Sequence, residues 1–130
     1  MQPIYEAANE IVERLRLARL EVVHLSAELA QAEYDLRLAQ ARVERGLIKK
    51  VGGEKALGPT AEDRARVFTL ALDADEEYQA RLKGRNALAL KLEEAKVEVA
   101  TLRDRLSVLL AVMRAGERPA GDLAESDIAL

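Results

Sequence analysis

The chain has 130 residues, 49% of them apolar and 33% charged but only 3% aromatic (Tyr5, Tyr34, Phe68, Tyr78), and it contains no cysteine. That excludes disulfides and thiolate metal sites, and it is the Ala/Leu/Glu/Lys/Arg composition of long helices and coiled coils, whose thin seams leave no room for a large core. The net charge of −3 comes from the end of the chain: residues 1–50 carry 8 basic against 8 acidic side chains and residues 51–115 carry 11 against 11, whereas "GERPAGDLAESDIAL" (116–130) sets one arginine against Glu117, Asp122, Glu125 and Asp127.

The first predicted element is a helix over residues 4–48. Small or apolar residues alternate at spacings of four and three from Ile4 through Ala8, Ile11, Leu15, Ala18, Val22, Leu25, Leu29, Ala32, Leu36 and Ala39 to Val43, twelve heptad matches without a miss. A helix of 3.6 residues per turn puts them on one face, and a strict seven-residue repeat asks for a left-handed supercoil. With Ala8 and Leu15 at position a, the e and g sites are mostly charged (Arg14, Arg19, Glu21, Glu28, Glu33, Asp35, Arg42). A second apolar stripe begins at Leu17 and continues through Leu20, Val23, Ala27, Ala30, Tyr34, Leu38 and Ala41, all at b, c or f. A helix apolar on two opposite sides is packed from both.

Residues 49–59, with Gly52-Gly53 and Gly58-Pro59, read as a turn, and residues 60–72 as a short helix. Thr60 followed three residues later by an acid is a capped start, and Val67, Phe68, Ala71 and Leu72 form its apolar stripe. Asp73, Asp75, Glu76 and Glu77 sit where a second long helix begins, and acids in a first turn are stabilised by the helix dipole. That helix is predicted over 75–115, with the seam Leu88, Leu92, Ala95, Val99, Leu102, Leu106, Leu109 and Met113. Extended backwards, the seam meets Tyr78, Arg81 and Arg85. Gly84, at roughly 1 kcal/mol against alanine in a helix interior, predicts a kink or break near 84–86.

Two stretches of matched length joined by one break make an antiparallel coiled-coil hairpin the economical all-α arrangement. The second stripe of the first helix, with the "LSVLLAVM" segment (106–113), then calls for a homodimer in the form of a four-helix bundle. Leu17, Leu20, Val23, Ala27, Tyr34, Leu38, Leu110 and Val112 are the candidate interface. The tail, 116–130, reads as acidic and disordered.

Chemistry-bearing patterns are sparse. Glu21-Val-Val-His24 has the i,i+3 spacing of metal-binding bundles, but His24 is the only histidine and lies at c, away from the seam; it reads as a solvent or interface residue, and no metal or other cofactor is expected. "VGGEKALG" lacks the Gly-Lys-Ser/Thr ending of a phosphate loop and follows a helix. The three serines have no second histidine or any cysteine to build a nucleophilic relay. The expectation is a protein without catalytic residues, not an enzyme.

Two basic clusters remain: Arg42, Arg45, Lys49, Lys50 and Lys55 around the turn, and Arg81, Lys83 and Arg85 early in the second long helix. The antiparallel register brings them to the same end, where they form a candidate target-binding tip for an acidic protein surface or, alternatively, a nucleic-acid backbone. Pairing of Arg81 and Arg85 with Glu33 and Asp35 is the competing explanation. A neutral body argues against a dedicated duplex-DNA binder, and scarce aromatics argue against stacking on single strands. No secretory leader opens the chain and no apolar run is long enough for a bilayer span. The expectation is a soluble protein of the bacterial cytoplasm with no membrane partner.

Residues 58–82, "GPTAEDRARVFTLALDADEEYQARL", resemble a segment of small helical proteins encoded by bacteriophages and prophages, through Glu62-Asp63-Arg64, Leu70, Leu72, Asp75 and Tyr78. Pro59 departs from the usual polar turn residue. The resemblance implies a mobile-element origin and a role exerted by binding, as an adaptor or inhibitor of a protein target, or as an accessory of recombination or replication.

Overall fold

The computed structural model describes residues 2–117. Among these the protein is all-α, with helix α1 over Gln2–Val51, a 3-10 turn over Glu54–Leu57, α2 over Ala61–Ala74 and α3 over Glu76–Glu117. The acidic tail lies outside the described residues except for Gly116 and Glu117. Two compact units divide the chain: unit 1 joins the residues up to Val23 with those from Glu93 onward, and unit 2 comprises His24–Leu92.

In each unit the heptad positions are the ones removed from solvent. In unit 1 Ala8 and Leu15 of α1 and Leu102 of α3 are buried, Leu102 to 1% exposure. Ile4, Ile11, Ala18, Val22, Ala95, Val99, Leu106, Leu109 and Met113 are half-buried. In unit 2 Leu25, Ala39 and Leu92 are buried, with Leu29, Ala32, Leu36, Val43 and Leu88 half-buried. None of these apolar seam residues stands exposed, which is what a 3.5-residue apolar period imposes on a helix covered along one face; Arg81, where the α3 seam turns polar, is exposed.

Polar pairs flank the seam. In unit 1 Arg14 meets Glu98 at 3.5 Å. In unit 2 Glu33 meets Arg85 at 3.3 Å, Asp35 meets Arg81 at 4.0 Å, and Arg42 meets Glu77 at 2.7 Å. Within unit 2 the α1 members ascend in number while their α3 partners descend.

The linker is more ordered than a glycine-rich turn requires. α1 runs to Val51, three residues beyond the expected end at 48, and closes on two glycines. The N–H groups of Gly52 and Gly53 both donate to the Ile48 carbonyl, at 3.1 and 3.0 Å, with φ of 86° and 145°. This is the glycine-capped helix end that satisfies an orphan carbonyl using backbone angles other residues resist. Leu57, in the 3-10 turn that packs against α2, is buried. Gly58 is required sterically, because a Cβ there would lie 2.7 Å from the Asp63 Cβ. The Arg64 guanidinium donates to the Gly58 carbonyl at 3.1 Å.

The Thr60 hydroxyl accepts from the Asp63 N–H at 3.1 Å, as an N-cap does, and Val67, Phe68, Ala71 and Leu72 are half-buried on α2. α2 continues to Ala74, two residues past the expected end. Asp75 alone separates it from α3, its carboxylate accepting from the Tyr78 N–H at 2.8 Å and its carbonyl from the Gln79 N–H at 3.0 Å. The Gln79 amide donates across the junction to the Leu72 carbonyl at 3.0 Å. α3 then remains helical through Gly84–Asn86, where the sequence favours a kink or break. One glycine's cost of roughly 1 kcal/mol is smaller than that of breaking a helix anchored on both sides.

Candidate functional site

The apolar residues that the seam leaves over are on the surface. On α1, Leu17 is 53% exposed, Leu20 54%, Val23 66%, Tyr34 51% and Leu38 52%; Ala27 is exposed as well. They fall at b, c and f, opposite the buried a and d positions. On α3, Leu110 and Val112 are also exposed, as is Val108 of the "LSVLLAVM" segment, and so are Leu90 and Val97, which the sequence reading passed over. Leu90 and Val97 lie seven residues apart at the position facing away from the α3 seam, and that spacing was the available signal. Among the described residues, 14 large hydrophobic side chains stand exposed against 7 buried apolar ones.

In unit 1 these side chains frame an open groove of about 600 Å³ between α1 and α3, floored by Leu15, Leu20, Val23, Leu106 and Leu110. Its charged lining is entirely cationic: Arg16, Arg19 and Arg103. A second hollow, of about 400 Å³, shares Arg19, Val23 and Arg103 with it and adds Val99 and Lys96. Arg16 is held by Glu13 and Lys96 by Glu93. Arg19 and Arg103 have no acidic partner among the described residues. The Glu13 carboxyl is held below the usual carboxylate range by its hydrogen bond and charge contact with Arg16.

The basic residues expected to form one cluster separate into two kinds. Arg42, Arg81 and Arg85 are in ion pairs with Glu77, Asp35 and Glu33. Glu77 accepts from Arg42 at 3.0 Å and from Arg81 at 3.4 Å. Its carboxyl is lowered chiefly by the Arg42 hydrogen bond, opposed next by desolvation, and lowered further by the Arg42 charge and by Arg81. Arg81 and Arg85 face residues 35 and 33, which lie about 21 and about 24 Å before Lys49 along α1 at roughly 1.5 Å per residue, so they are not gathered at the turn. Arg45, Lys49, Lys50 and Lys55 are exposed at the end of α1 and in the 3-10 turn, without acidic partners among the described residues, and Lys83 is likewise exposed and unpaired.

His24 is on the surface, its Nε2 at 3.1 Å from a Glu28 oxygen one turn on, rather than engaged with Glu21. No group of three or more metal-binding side chains occurs among the described residues, and none of their helices is long and apolar enough to cross a membrane. No family model, curated protein or solved structure matches the chain.

Proposed function

We propose that this protein is a helical binding protein without catalytic chemistry, an adaptor or inhibitor of a protein target, that first assembles with a second copy of itself. α1 and α3 serve as the arms of an antiparallel coiled-coil hairpin with α2 at the turn, and two hairpins close as a four-helix bundle. The observation that carries this reading is the excess of exposed over buried large hydrophobics, among them Leu17, Leu20, Val23, Tyr34 and Leu38 on the α1 face opposite the seam. Apolar surface of this extent marks a protein interface, and a symmetric pairing covers the same stripe on both copies. The reversed order of the ion pairs in unit 2 supports the hairpin. The phage-protein resemblance stays part of this proposal, although Asp63, Arg64 and Asp75, which carry much of it, act in linker hydrogen bonds.

Sedimentation equilibrium tests the assembly. The wild-type chain is expected at twice its 14.3 kDa mass, and Leu20→Glu combined with Leu38→Glu returns it to monomer without loss of helix content. A wild-type monomer at micromolar concentration overturns the reading.

A second reading has its own support, the unpaired Arg45, Lys49, Lys50 and Lys55. Such a group offers charge to a nucleic-acid backbone, with a salt-dependent affinity. Fluorescence anisotropy of labelled DNA and RNA separates the two readings: binding that falls with salt and disappears in Lys49→Glu with Lys50→Glu favours the accessory role, and no binding at low salt rejects it.

A further inference from the structure

We infer that the cationic apolar groove of unit 1 is the docking site of this chain's own acidic tail, residues 118–130. Three observations converge on that occupant. The first is charge. The groove presents Arg16, Arg19 and Arg103 with no acid in its lining, whereas "GDLAESDIAL" (121–130) carries Asp122, Glu125 and Asp127 and no base. Arg19 and Arg103 have no acidic partner among the described residues, in a chain whose net charge resides in that tail.

The second is apolar complementarity. Leu123, Ile128 and Leu130 alternate with the acids, and the groove floor of Leu15, Leu20, Val23, Leu106 and Leu110 offers apolar area that gains from being covered. The neighbouring hollow on the other flank of α3 has one acid and one base in its lining, Asp104 and Arg105, and so offers an acidic segment no net charge.

The third is reach. Leu110 lies seven residues before Glu117, about 10 Å back along α3, and Arg103 about 21 Å back. Thirteen residues span up to about 45 Å when extended. Pro119 and Gly121 are residue types suited to turns, and nine residues follow them in the sequence.

The inference does not rest on self-association, since a monomer can dock its own tail. It bears on it all the same: Leu20, Val23 and Leu110 belong both to the groove and to the proposed dimer face, so a docked tail and a second copy compete for them.

The test uses the full chain with Ala129→Cys carrying a nitroxide, the only thiol in a protein that otherwise has none. Amide signals of Leu20, Arg103 and Leu106 are expected to broaden at least severalfold more than those of residues 111–117. Arg19→Glu with Arg103→Glu, both exposed and unpaired, removes that broadening, and adding Asp122→Lys with Asp127→Lys restores it. Broadening greatest at 111–117 and indifferent to charge reversal overturns the inference. So does broadening of equal strength when isotope-labelled chains without nitroxide are mixed with unlabelled chains bearing it, because the tail then crosses between copies. A monomeric protein that shows the groove broadening sustains the docking and rejects the dimer, so the two proposals fail separately.

Discussion

Leu102 is the most completely buried large side chain among the described residues, at 1% exposure, and its truncation offers the sharpest check on the packing. Leu102→Ala removes three carbons, which at about 0.8 kcal/mol per buried methylene amounts to about 2.4 kcal/mol of transfer free energy. A cavity contribution adds to that, and Leu→Ala replacements in well-packed cores cost about 2.7–5.0 kcal/mol. Val99 and Leu106, the seam neighbours on α3, are only half-buried, so the site can partly close or admit water. The expected loss is therefore near the lower end, about 3 kcal/mol. Val97, on the same helix and 64% exposed, is the control: Val97→Ala deletes little buried area and gains helix propensity, so its effect stays within about 0.5 kcal/mol. Urea unfolding followed by circular dichroism, at one fixed protein concentration, gives both values from the shift in midpoint. A loss below about 1 kcal/mol at Leu102, or an equal loss at Val97, would show that the seam does not hold the protein together as argued.

The linker allows three further tests. Gly53→Ala places a side chain where φ is 145° with nothing within 4 Å of the new Cβ, so the expected cost of about 1–3 kcal/mol is pure backbone strain; thermal unfolding no different from wild type would contradict it. Thr60→Ala loses the hydroxyl that caps α2 and should cost about 1 kcal/mol, with Thr60→Ser retaining most of the stability. Glu77 has its pKa lowered in the folded protein, chiefly by Arg42. Its contribution is present above the unfolded-state carboxyl pKa and is lost as pH falls through the lower folded value. Carbon-detected NMR titration should find Glu77 among the last glutamates to protonate, and in Arg42→Gln it should move toward the ordinary range; an unchanged midpoint would sink the assignment.

The two halves of this molecule differed in how readily they could be read. The seam was legible because its information is local and redundant: all twelve positions from Ile4 to Val43 repeat one spacing, and all are buried or half-buried. Exposure of Leu17, Leu20, Val23, Tyr34 and Leu38 followed from the same wheel, since a residue half a turn from the seam cannot enter it. The linker was legible only in part. Thr60 was recognisable as a cap from its spacing to Asp63, but the burial of Leu57 and the hold of Arg64 on the Gly58 carbonyl depend on how the 3-10 turn packs against α2, which no periodicity encodes.

Charge was least legible. Sequence proximity gathered Arg42 with Arg45, Lys49, Lys50 and Lys55, and an assumed register brought Arg81, Lys83 and Arg85 to the same end. Which cations have acidic partners depends on where individual side chains end up across the seam, at separations of a few ångströms that a helical wheel does not resolve. Composition and period alone determined that the chain is helical, where its apolar faces lie and which residues those faces contain, because both depend on the 3.6-residue turn. The pairing of Arg81 and Arg85 with Asp35 and Glu33 was one of two readings open in the sequence, and only the tertiary structure decided for it, added the Arg42–Glu77 pair and left Arg19 and Arg103 over an apolar groove, because ion pairing requires two helices to meet at one register.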